Sequence, residues 1–354
     1  MMNNSNINQY EALCDIPKAT EEEFLKREFR ISLKYIDSSF DFESYSKTDK
    51  AVIIVTNNPN NWAQTLKSSN KCRVIFFLIG NETYEPDIYN SLNQFPNLLH
   101  AFIYNFPTKI KTMNIVGSII GYIYDGGLKK TELPGSIYRD ARISISLKQK
   151  FNKFKPNFSF SELPQGYSNN FIYNLQSIVK IPEDGSMINQ HALNCVKLVA
   201  DKKKIFSFIG QSTNRRREVF LRVAQKQSDE KFKVNLNFQG TFLNKDSTYI
   251  TQLLENKFTL IPPGFYNNYN HRYTESLICG SIPIILANNS LDPSVNKNWT
   301  KDLSFLARFS IKKQIKILLK INDFERMKLL EDIRYMDFER IDLATKKFQE
   351  LVKI

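Results

Sequence analysis

Residues 258–286 decide the fold, and they read FTLIPPGFYNNYNHRYTESLICGSIPIIL. The first four residues are apolar and predict a buried strand, which ends at Pro-Pro-Gly because proline cannot donate to a strand ladder. A polar loop then leads into a predicted helix over residues 273–279, and Gly280 ends that helix. The apolar run 282–286 predicts a second strand. Strand, turn, helix and strand in this order are typical of a β-α-β unit with parallel strands.

The start of the predicted helix has the chemistry of a phosphate site. Free backbone N–H groups and the positive end of the helix dipole attract an anion. Arg272 would add a charged hydrogen bond, and Glu275, one turn further on, could accept two hydrogen bonds from ribose hydroxyls. The same spacing also fits an ordinary β-α-β unit in which Arg272 and Glu275 pair on the surface, so spacing alone identifies no ligand.

The alternation of strands and helices runs through both halves of the chain. In the first half, continuous apolar runs predict buried parallel strands at residues 51–55, 73–79, 98–104 and 116–124. In the second half, we expect strands at residues 205–209, 234–238, 258–261 and 282–286. Helices are expected between them, at residues 214–227, 248–255 and 273–279. The predicted class is therefore α/β.

The remaining segments set the domain boundaries. Residues 1–20 are expected to be a disordered lead-in, and residues 21–33 predict a helix because their apolar side chains recur at helical spacing. Residues 126–186 follow no regular pattern, so we expect loops, short helices or an insertion there, whereas residues 189–200 predict a helix. We therefore expect an N-terminal α/β domain at 21–200, a C-terminal α/β domain at 201–310, and amphipathic C-terminal helices at 311–354 that pack back across both.

Composition limits the classes of function. The chain has 354 residues, of which 42% are hydrophobic, and this suffices for two ordinary cores. The formal charge of +13 would attract nucleic acid, anionic lipid or phosphorylated substrates, although a bias toward Lys, Asn and Ile also explains much of it. Four scattered cysteines and three histidines predict free thiols and no metal site. Without a long apolar stretch or signal core, we expect a cytoplasmic protein that could touch an anionic membrane.

Several motifs together resemble the signature of the exostosin-like glycosyltransferases. Residues 272–285 read R-x-x-E-x-x-x-x-G-x-I-P-I-I, after a strand that ends in a Pro-Gly turn. Residues 206–210 read FSFIG and precede a basic turn, NRRR, at 214–217. The first half gives a weaker echo in GNE (80–82), IYNFP (103–107) and GYIYDGG (121–127). The resemblance implies a GT-B fold, in which two Rossmann-like domains face each other across a cleft that holds the active site.

The resemblance also implies roles for individual residues. Glu275 would hold the donor ribose, while Arg272 and the amides after Gly264 would lie near the diphosphate. The departing diphosphate would be neutralised from the facing turn by Arg215, Arg216 or Arg217. Further donor-binding candidates are Gly210, Pro263, Tyr266, His271 and Tyr273. For Tyr273, packing in the core is an equal alternative. Since no Asp-x-Asp follows a strand, we expect no metal at the donor site.

An inverting transfer needs a base that takes the proton of the acceptor hydroxyl. We expect that base at a strand end of the first domain. Glu82, just after RVIFFLIG, is the first candidate, and Asp125, in YDGG, is the second. Acidic residues are also common in turns for purely local hydrogen bonding, so this alternative stays open for both.

We therefore expect an inverting, metal-independent glycosyltransferase with a nucleotide-diphosphate sugar as donor. The acceptor would be a glycan or lipid-linked glycan of a surface polysaccharide, lipopolysaccharide or capsule, and neither a cofactor nor nucleic acid is expected as a partner. Two alternatives stay open. One is a basic nucleic-acid-binding protein, whose binding would fall steeply with salt, and the other is an inactive transferase fold that binds a glycan.

Overall fold

The computed structural model describes residues 9–37, 40–45, 51–68, 72–79, 86–104, 116, 120–121, 123–125, 133–179, 181, 185–188, 202, 204–209, 215–226, 232–235, 247–262, 270–285 and 310–353. Within these residues the chain forms two parallel sheets. The strands of the first sheet are β1 Tyr10–Cys14, β2 Ile31–Tyr35, β3 Val52–Thr56, β4 Val74–Leu78, β5 Leu98–Tyr104 and β6 Phe160–Leu163. Their spatial order is β2-β1-β3-β4-β5-β6.

The second sheet is smaller. Its strands are β7 Lys204–Ile209, β8 Phe232–Asn235, β9 Asn256–Leu260 and β10 Ile282–Ile284. Their order is β10-β9-β7-β8, and each described pairing is parallel.

Helices connect the strands and close the chain. In the first half they are α1 Glu22–Phe24, α2 Phe42–Tyr45, α3 Ala63–Ser68, α4 Pro86–Asn90, α5 Leu133–Lys153 and α6 Asn169–Ile178. A π-helix over Leu25–Phe29 continues α1, and 3-10 turns lie at Pro59–Trp62 and Ser91–Gln94. The later helices are α7 Arg215–Lys226, α8 Ser247–Glu255, α9 His271–Ile278, α10 Ile311–Leu318 and α11 Asp323–Leu351.

The central strands of the first sheet are covered on both faces, which explains their continuous apolar sequences. Every residue of β3 and of β4 is buried. Alternate side chains point to opposite faces, so Phe77 joins one core and Phe76 the other. On the Phe77 face, Phe29 and Phe348 each lie with their ring centroids 5.4 Å from that of Phe77. The last helix of the chain therefore completes the core of the first sheet.

Helix α11 also packs against the second sheet. Leu330 and Ile333, near its start, share a core with Phe258 of β9 and Ile282 of β10. A capping box at Asn322 and Glu325 fixes the first turn of this 29-residue helix. One helix thus contributes to the cores of both sheets.

The predicted α/β class is confirmed, since the described residues form two parallel sheets joined by helices and end in two helices, α10 and α11. The GT-B type stays a prediction. The strands predicted near residues 51, 73, 98, 205, 258 and 282 form within a few residues of their expected bounds. The strand expected at 234–238 lies slightly earlier, at Phe232–Asn235. The three described cysteines, Cys14, Cys72 and Cys279, are buried free thiols, as expected.

Four expectations were wrong. The helix expected over residues 21–33 ends at Phe29, and residues 31–33 belong to β2. Disorder over residues 1–20 does not hold for Tyr10–Cys14, because this segment pairs with both β2 and β3. The described residues between 116 and 125 are helical and not a strand, since an apolar run alone does not fix the backbone period. The irregular region at 126–186 contains the 21-residue helix α5 and strand β6. The helix expected at 189–200 lies outside the described residues.

Among the described residues, no helix combines the length and apolar character that crossing a membrane requires.

Candidate functional site

Helix α9 follows β9 and begins with a well-formed cap. The side-chain Oδ1 of Asn270 accepts a hydrogen bond from the backbone N–H of Arg272 at 3.1 Å. Gly280 ends the helix with φ of 71°, a left-handed conformation that favours glycine. These local signals, Asn before the helix and Gly after it, explain why the sequence predicted its bounds well.

Two buried cations fix the far end of α9. The Nε of Arg334 in α11 donates to the carbonyl oxygen of Leu277 at 2.7 Å. The Nζ of Lys202 donates to the carbonyl oxygens of Cys279, Leu253 and Leu254, at 2.8, 2.8 and 2.9 Å respectively. Positive charge at the last carbonyls complements the helix dipole, so α8 and α9 are held together at their carboxyl ends.

Glu275 is buried, with 3% of its surface exposed. Its Oε1 accepts hydrogen bonds from the backbone N–H and the hydroxyl of Ser168, at 3.1 and 2.8 Å. Its Oε2 accepts a hydrogen bond from the hydroxyl of Tyr249 at 2.7 Å. Burial therefore contradicts the alternative in which Glu275 forms a surface pair with Arg272.

Arg272 lies beside the same tyrosine. The guanidinium carbon of Arg272 is 4.9 Å from the centroid of the Tyr249 ring, a cation–π contact. Burial, followed by the charge of Glu275, raises the pKa of Tyr249 well above its ordinary value, so Tyr249 stays a hydrogen-bond donor. Tyr249 thus joins Arg272 and Glu275 into one cluster.

His271, the first residue of α9, contacts two residues of the first half. Its Nε2 is 3.2 Å from the hydroxyl of Tyr104 and 3.6 Å from Oε1 of Glu21. Burial alone would lower the pKa of His271, but the Glu21 carboxylate outweighs it and the pKa is raised. Burial would likewise raise the pKa of Glu21, but His271 outweighs it and that pKa is lowered. The pair therefore favours an imidazolium beside a carboxylate.

These contacts bring the carboxyl ends of the first sheet onto the start of α9. Glu21 lies in the connection after β1, Tyr104 is the last residue of β5, and Ser168 follows β6. All three touch His271 or Glu275. The site is therefore a junction between the strand ends of one sheet and the helix that follows a strand of the other.

The chain has similarity to known proteins in its structure and not in its sequence. No protein-family model matches it, and no curated protein matches it significantly. Among solved structures it is similar to a crystal structure of an alpha1,3-fucosyltransferase, with 12% identity over 99% of this chain and 91% of that chain and a TM-score of 0.43. It is also similar to an apo structure of OtsA, with 11% identity over 87% of this chain and 74% of that chain and a TM-score of 0.45.

Asp125, a candidate base, forms its described hydrogen bonds with the start of α10 and not with this junction. Its carboxylate accepts hydrogen bonds from the Ser310 hydroxyl and from the backbone N–H groups of Ile311 and Lys312, the latter two at 3.0 and 3.3 Å. Burial raises the pKa of Asp125 to about 6, although these hydrogen bonds oppose the rise. The observed contacts make it a cap for α10, and its catalytic role stays a prediction.

The other predicted residues divide into three groups. Tyr273 is buried in the core of the second sheet, in line with the packing alternative. Arg215, Arg216 and Arg217 form the first turn of α7, the helix after β7. Five candidates lie outside the described residues: Glu82, Gly210, Pro263, Gly264 and Tyr266. Among the described residues, no group of three or more His, Cys, Asp or Glu side chains could hold a metal ion.

Sequence reasoning missed the partners that the first half and helix α8 supply. Glu21, Tyr104, Ser168 and Tyr249 were not singled out, because their contacts join residues far apart in the chain. The sequence around Ser168 contained one signal that could have drawn attention to it. Its hydroxyl accepts a hydrogen bond from the backbone N–H of Phe171 at 3.3 Å, so a serine before an apolar helix marked the start of α6.

Proposed function

We propose that this chain is an inverting glycosyltransferase that moves a sugar from a nucleotide-diphosphate donor to a glycan. The junction at α9 carries the proposal. Strand ends of the first parallel sheet meet the N-terminal turns of a helix that follows a strand of the second. Open α/β sheets bind their ligands at the carboxyl ends of the strands, so a cleft between two such sheets suits a two-substrate transfer.

The start of α9 fits the diphosphate of the donor. A helix N-terminus attracts phosphate, and two side chains of its first turn, His271 and Arg272, add positive charge. The raised pKa of His271 favours the charged imidazolium. The nucleoside diphosphate gains negative charge as it departs, and fixed cations stabilise that charge without a metal ion. In this proposal, Arg215, Arg216 and Arg217 serve the same purpose from the first turn of α7.

Glu275 is proposed to hold the donor ribose. A carboxylate has about four acceptor positions, and Ser168 and Tyr249 fill three of those on Glu275. A ribose hydroxyl can take the position left on Oε2 or replace the Ser168 hydroxyl on Oε1. The amides after Gly264, with Gly210, Pro263 and Tyr266, are proposed to complete the donor site.

The acceptor is proposed to be a glycan or lipid-linked glycan of a surface polysaccharide, lipopolysaccharide or capsule. This part of the proposal rests on the exostosin-like motifs and not on a contact, because folds of this class serve many acceptors.

The test is a thermal-shift screen of the full chain against UDP, GDP, ADP, CMP and their sugars, in the presence of EDTA. We expect one diphosphonucleotide to raise the melting temperature, and Glu275→Ala to abolish that response. Glu331→Ala, at an exposed position of α11, is the matched control and should keep it. Any stabilising donor is then assayed for sugar transfer and for the anomeric configuration of the product.

One observation favours a second candidate, an inactive transferase fold that binds a glycan. The Glu275 carboxylate already receives three hydrogen bonds from the protein. Glycan binding without a response to any nucleotide would support that candidate and reject the transferase. Salt-sensitive binding of DNA or RNA, again without a nucleotide response, would reject both.

A further inference from the structure

We propose that the acceptor binds in the crevice between β1 and β3, where Asp15 accepts a hydrogen bond from the acceptor hydroxyl. This inference rests on the proposed function, since it supplies the second substrate of the same transfer. The two bases predicted from the sequence do not supply this group among the described contacts. Glu82 lies outside the described residues, and the Asp125 carboxylate caps α10.

The sheet topology points to this crevice. Strands β1 and β3 are neighbours, but the connection after β1 leads to β2 on one side and the connection after β3 leads to β4 on the other side. Such a reversal opens a crevice at the carboxyl ends of the two strands, and ligands of open α/β sheets bind there. Asp15 directly follows β1, and Thr56 is the last residue of β3.

Three donors fix the Asp15 carboxylate. Its Oδ2 accepts hydrogen bonds from Thr56 Oγ1 at 3.0 Å, Asn61 Nδ2 at 3.0 Å and Trp62 Nε1 at 3.1 Å. Two of these donors belong to the 3-10 turn after β3, and Trp62 is buried. The carboxylate therefore has one defined orientation before any ligand arrives, which is the arrangement that recognition of a substrate group requires.

The second oxygen of Asp15 is left without a donor. Oδ1 is shielded from solvent and accepts no hydrogen bond, whereas the residue as a whole is partly exposed. Buried carboxylate oxygens are normally satisfied, so an unsatisfied one calls for a physical explanation. A hydroxyl donor from a ligand would complete the hydrogen bonding of Asp15.

The surroundings favour a neutral, hydroxyl-rich ligand. Exposed amides of Asn57, Asn60 and Asn61 lie next to the end of β3, and amides can both donate to and accept from sugar hydroxyls. Asp15 and Glu22 both act on Cys14, whose pKa is raised to about 11 by burial first and by these negative charges in addition. Negative charge here repels a phosphate, while the cations His271 and Arg272 lie at α9. The end of β1 therefore suits a neutral acceptor, whereas the two basic side chains at the start of α9 suit the diphosphate of the donor.

The position of Asp15 defines its part in the transfer. The hydroxyl proton of the acceptor passes to the Asp15 carboxylate as the hydroxyl oxygen forms its bond to the anomeric carbon of the donor sugar. The bond between that carbon and the phosphate oxygen breaks, and its electron pair leaves with the nucleoside diphosphate. Protonated Asp15 then returns its proton to solvent.

The experiment compares Asp15→Asn with the control Asp342→Asn, an exposed position on α11. The full chain receives the nucleotide sugar found by thermal shift and is incubated on an array of microbial and mammalian glycans. We expect Asp15→Asn to keep the donor-induced shift in melting temperature and to lose transfer by about 100-fold or more. Asp342→Asn should match the wild type in both. Asn61→Ala removes one orienting donor and should raise the acceptor KM about fivefold with a smaller change in kcat.

Transfer by Asp15→Asn within threefold of the wild type would overturn the inference and leave the proposed function standing. If Asp15→Asn loses both the donor-induced shift and sugar transfer, the inference is also overturned, because Asp15 would then be needed for the fold. If Asp15→Asn does not fold, an unchanged acceptor KM in Asn61→Ala overturns the inference, and a raised one supports it. A wild type that responds to no nucleotide and modifies no glycan contradicts the proposed function as well.

Discussion

Glu275 and Ser168 are 107 residues apart in the chain, yet the Oε1 of Glu275 accepts hydrogen bonds from both the backbone N–H and the hydroxyl of Ser168. Ser168 is also the N-cap of α6. The residue proposed to hold the donor ribose therefore also ties the first half of the chain to the second, so donor binding and the contact between the two halves depend on one carboxylate.

Ser168→Ala tests this shared use. The change removes a donor to Glu275 and the acceptor for the backbone N–H of Phe171, so the free energy of unfolding should fall by about 1–2 kcal/mol. Donor affinity should stay equal or increase, because the ribose no longer competes with the serine hydroxyl. Urea unfolding and nucleotide titration measure the two effects. Ser177→Ala, which removes only an exposed hydrogen bond to Asn174, is the control. Loss of donor affinity in Ser168→Ala would contradict the proposed competition.

Gly166 should tolerate no side chain. Its φ is 58°, and a Cβ atom there would lie 2.3 Å from Cδ2 of Phe24, whose ring is buried in the core. Gly166→Ala should lower the free energy of unfolding by about 2–4 kcal/mol, from overpacking and left-handed backbone strain together. The control is Gly135→Ala in α5, where a new Cβ meets nothing within 4 Å. This control should gain up to about 1 kcal/mol from helix propensity. Equal melting temperatures for both variants would refute the packing argument.

The parts of the fold that the sequence predicted share a physical cause. Strands β3, β4 and β5 are covered on both faces, so their apolar runs are continuous and visible without any knowledge of the fold. Strand β1 was missed because its sequence, YEALC, has a polar start, and only its last three residues are buried. The described residues between 116 and 125 are helical, which shows that an apolar run does not by itself distinguish a helix from a strand.

Only the residues that α9 contributes to the candidate site could be predicted from the sequence. His271, Arg272 and Glu275 lie on one helix with clear caps, so their grouping follows from local spacing. Their partners Glu21, Tyr104 and Ser168 come from three different strand ends, and no local pattern links residues so far apart. Asp15 was missed for a related reason, since the strand that presents it was not recognised.

The pair of Glu21 and His271 should make stability depend on pH. The raised pKa of His271 means that its contribution is complete below about pH 6.5 and is lost as the pH rises through the folded-state value. The lowered pKa of Glu21 means that its contribution is present above about pH 4.5 and is lost as the pH falls through its folded-state value. The pair should therefore stabilise most between these limits.

Denaturant unfolding of the wild type and of His271→Gln from pH 4 to pH 9 measures this effect. The difference in free energy of unfolding should be largest near pH 5–6 and should shrink toward either end of the range. A parallel series with Glu21→Gln should show the same maximum. A difference that does not change with pH would show that the contact is not ionic.

Lys202 should be needed for the register of α8 against α9. Its ammonium group donates to three carbonyl oxygens at the ends of these helices, and only 5% of the residue is exposed. Lys202→Met keeps the stem but leaves buried carbonyl groups without a donor, so the free energy of unfolding should fall by about 2–3 kcal/mol. Lys328→Met, at an exposed position of α11, should change it by less than about 0.5 kcal/mol. Equal stability of the two variants would refute the role assigned to Lys202.

The position of α11 in the sequence affects how the protein folds during translation. The core of the first sheet includes Ile341, Phe348 and Leu351, which are synthesised well after the six strands of that sheet. While those residues are still inside the ribosome, the first half of a nascent chain lacks part of its own core and exposes Phe77 and Phe102 on that face. The first half therefore cannot finish folding before α11 has left the ribosome, and premature termination near residue 340 would leave an aggregation-prone sheet in place of a shortened protein.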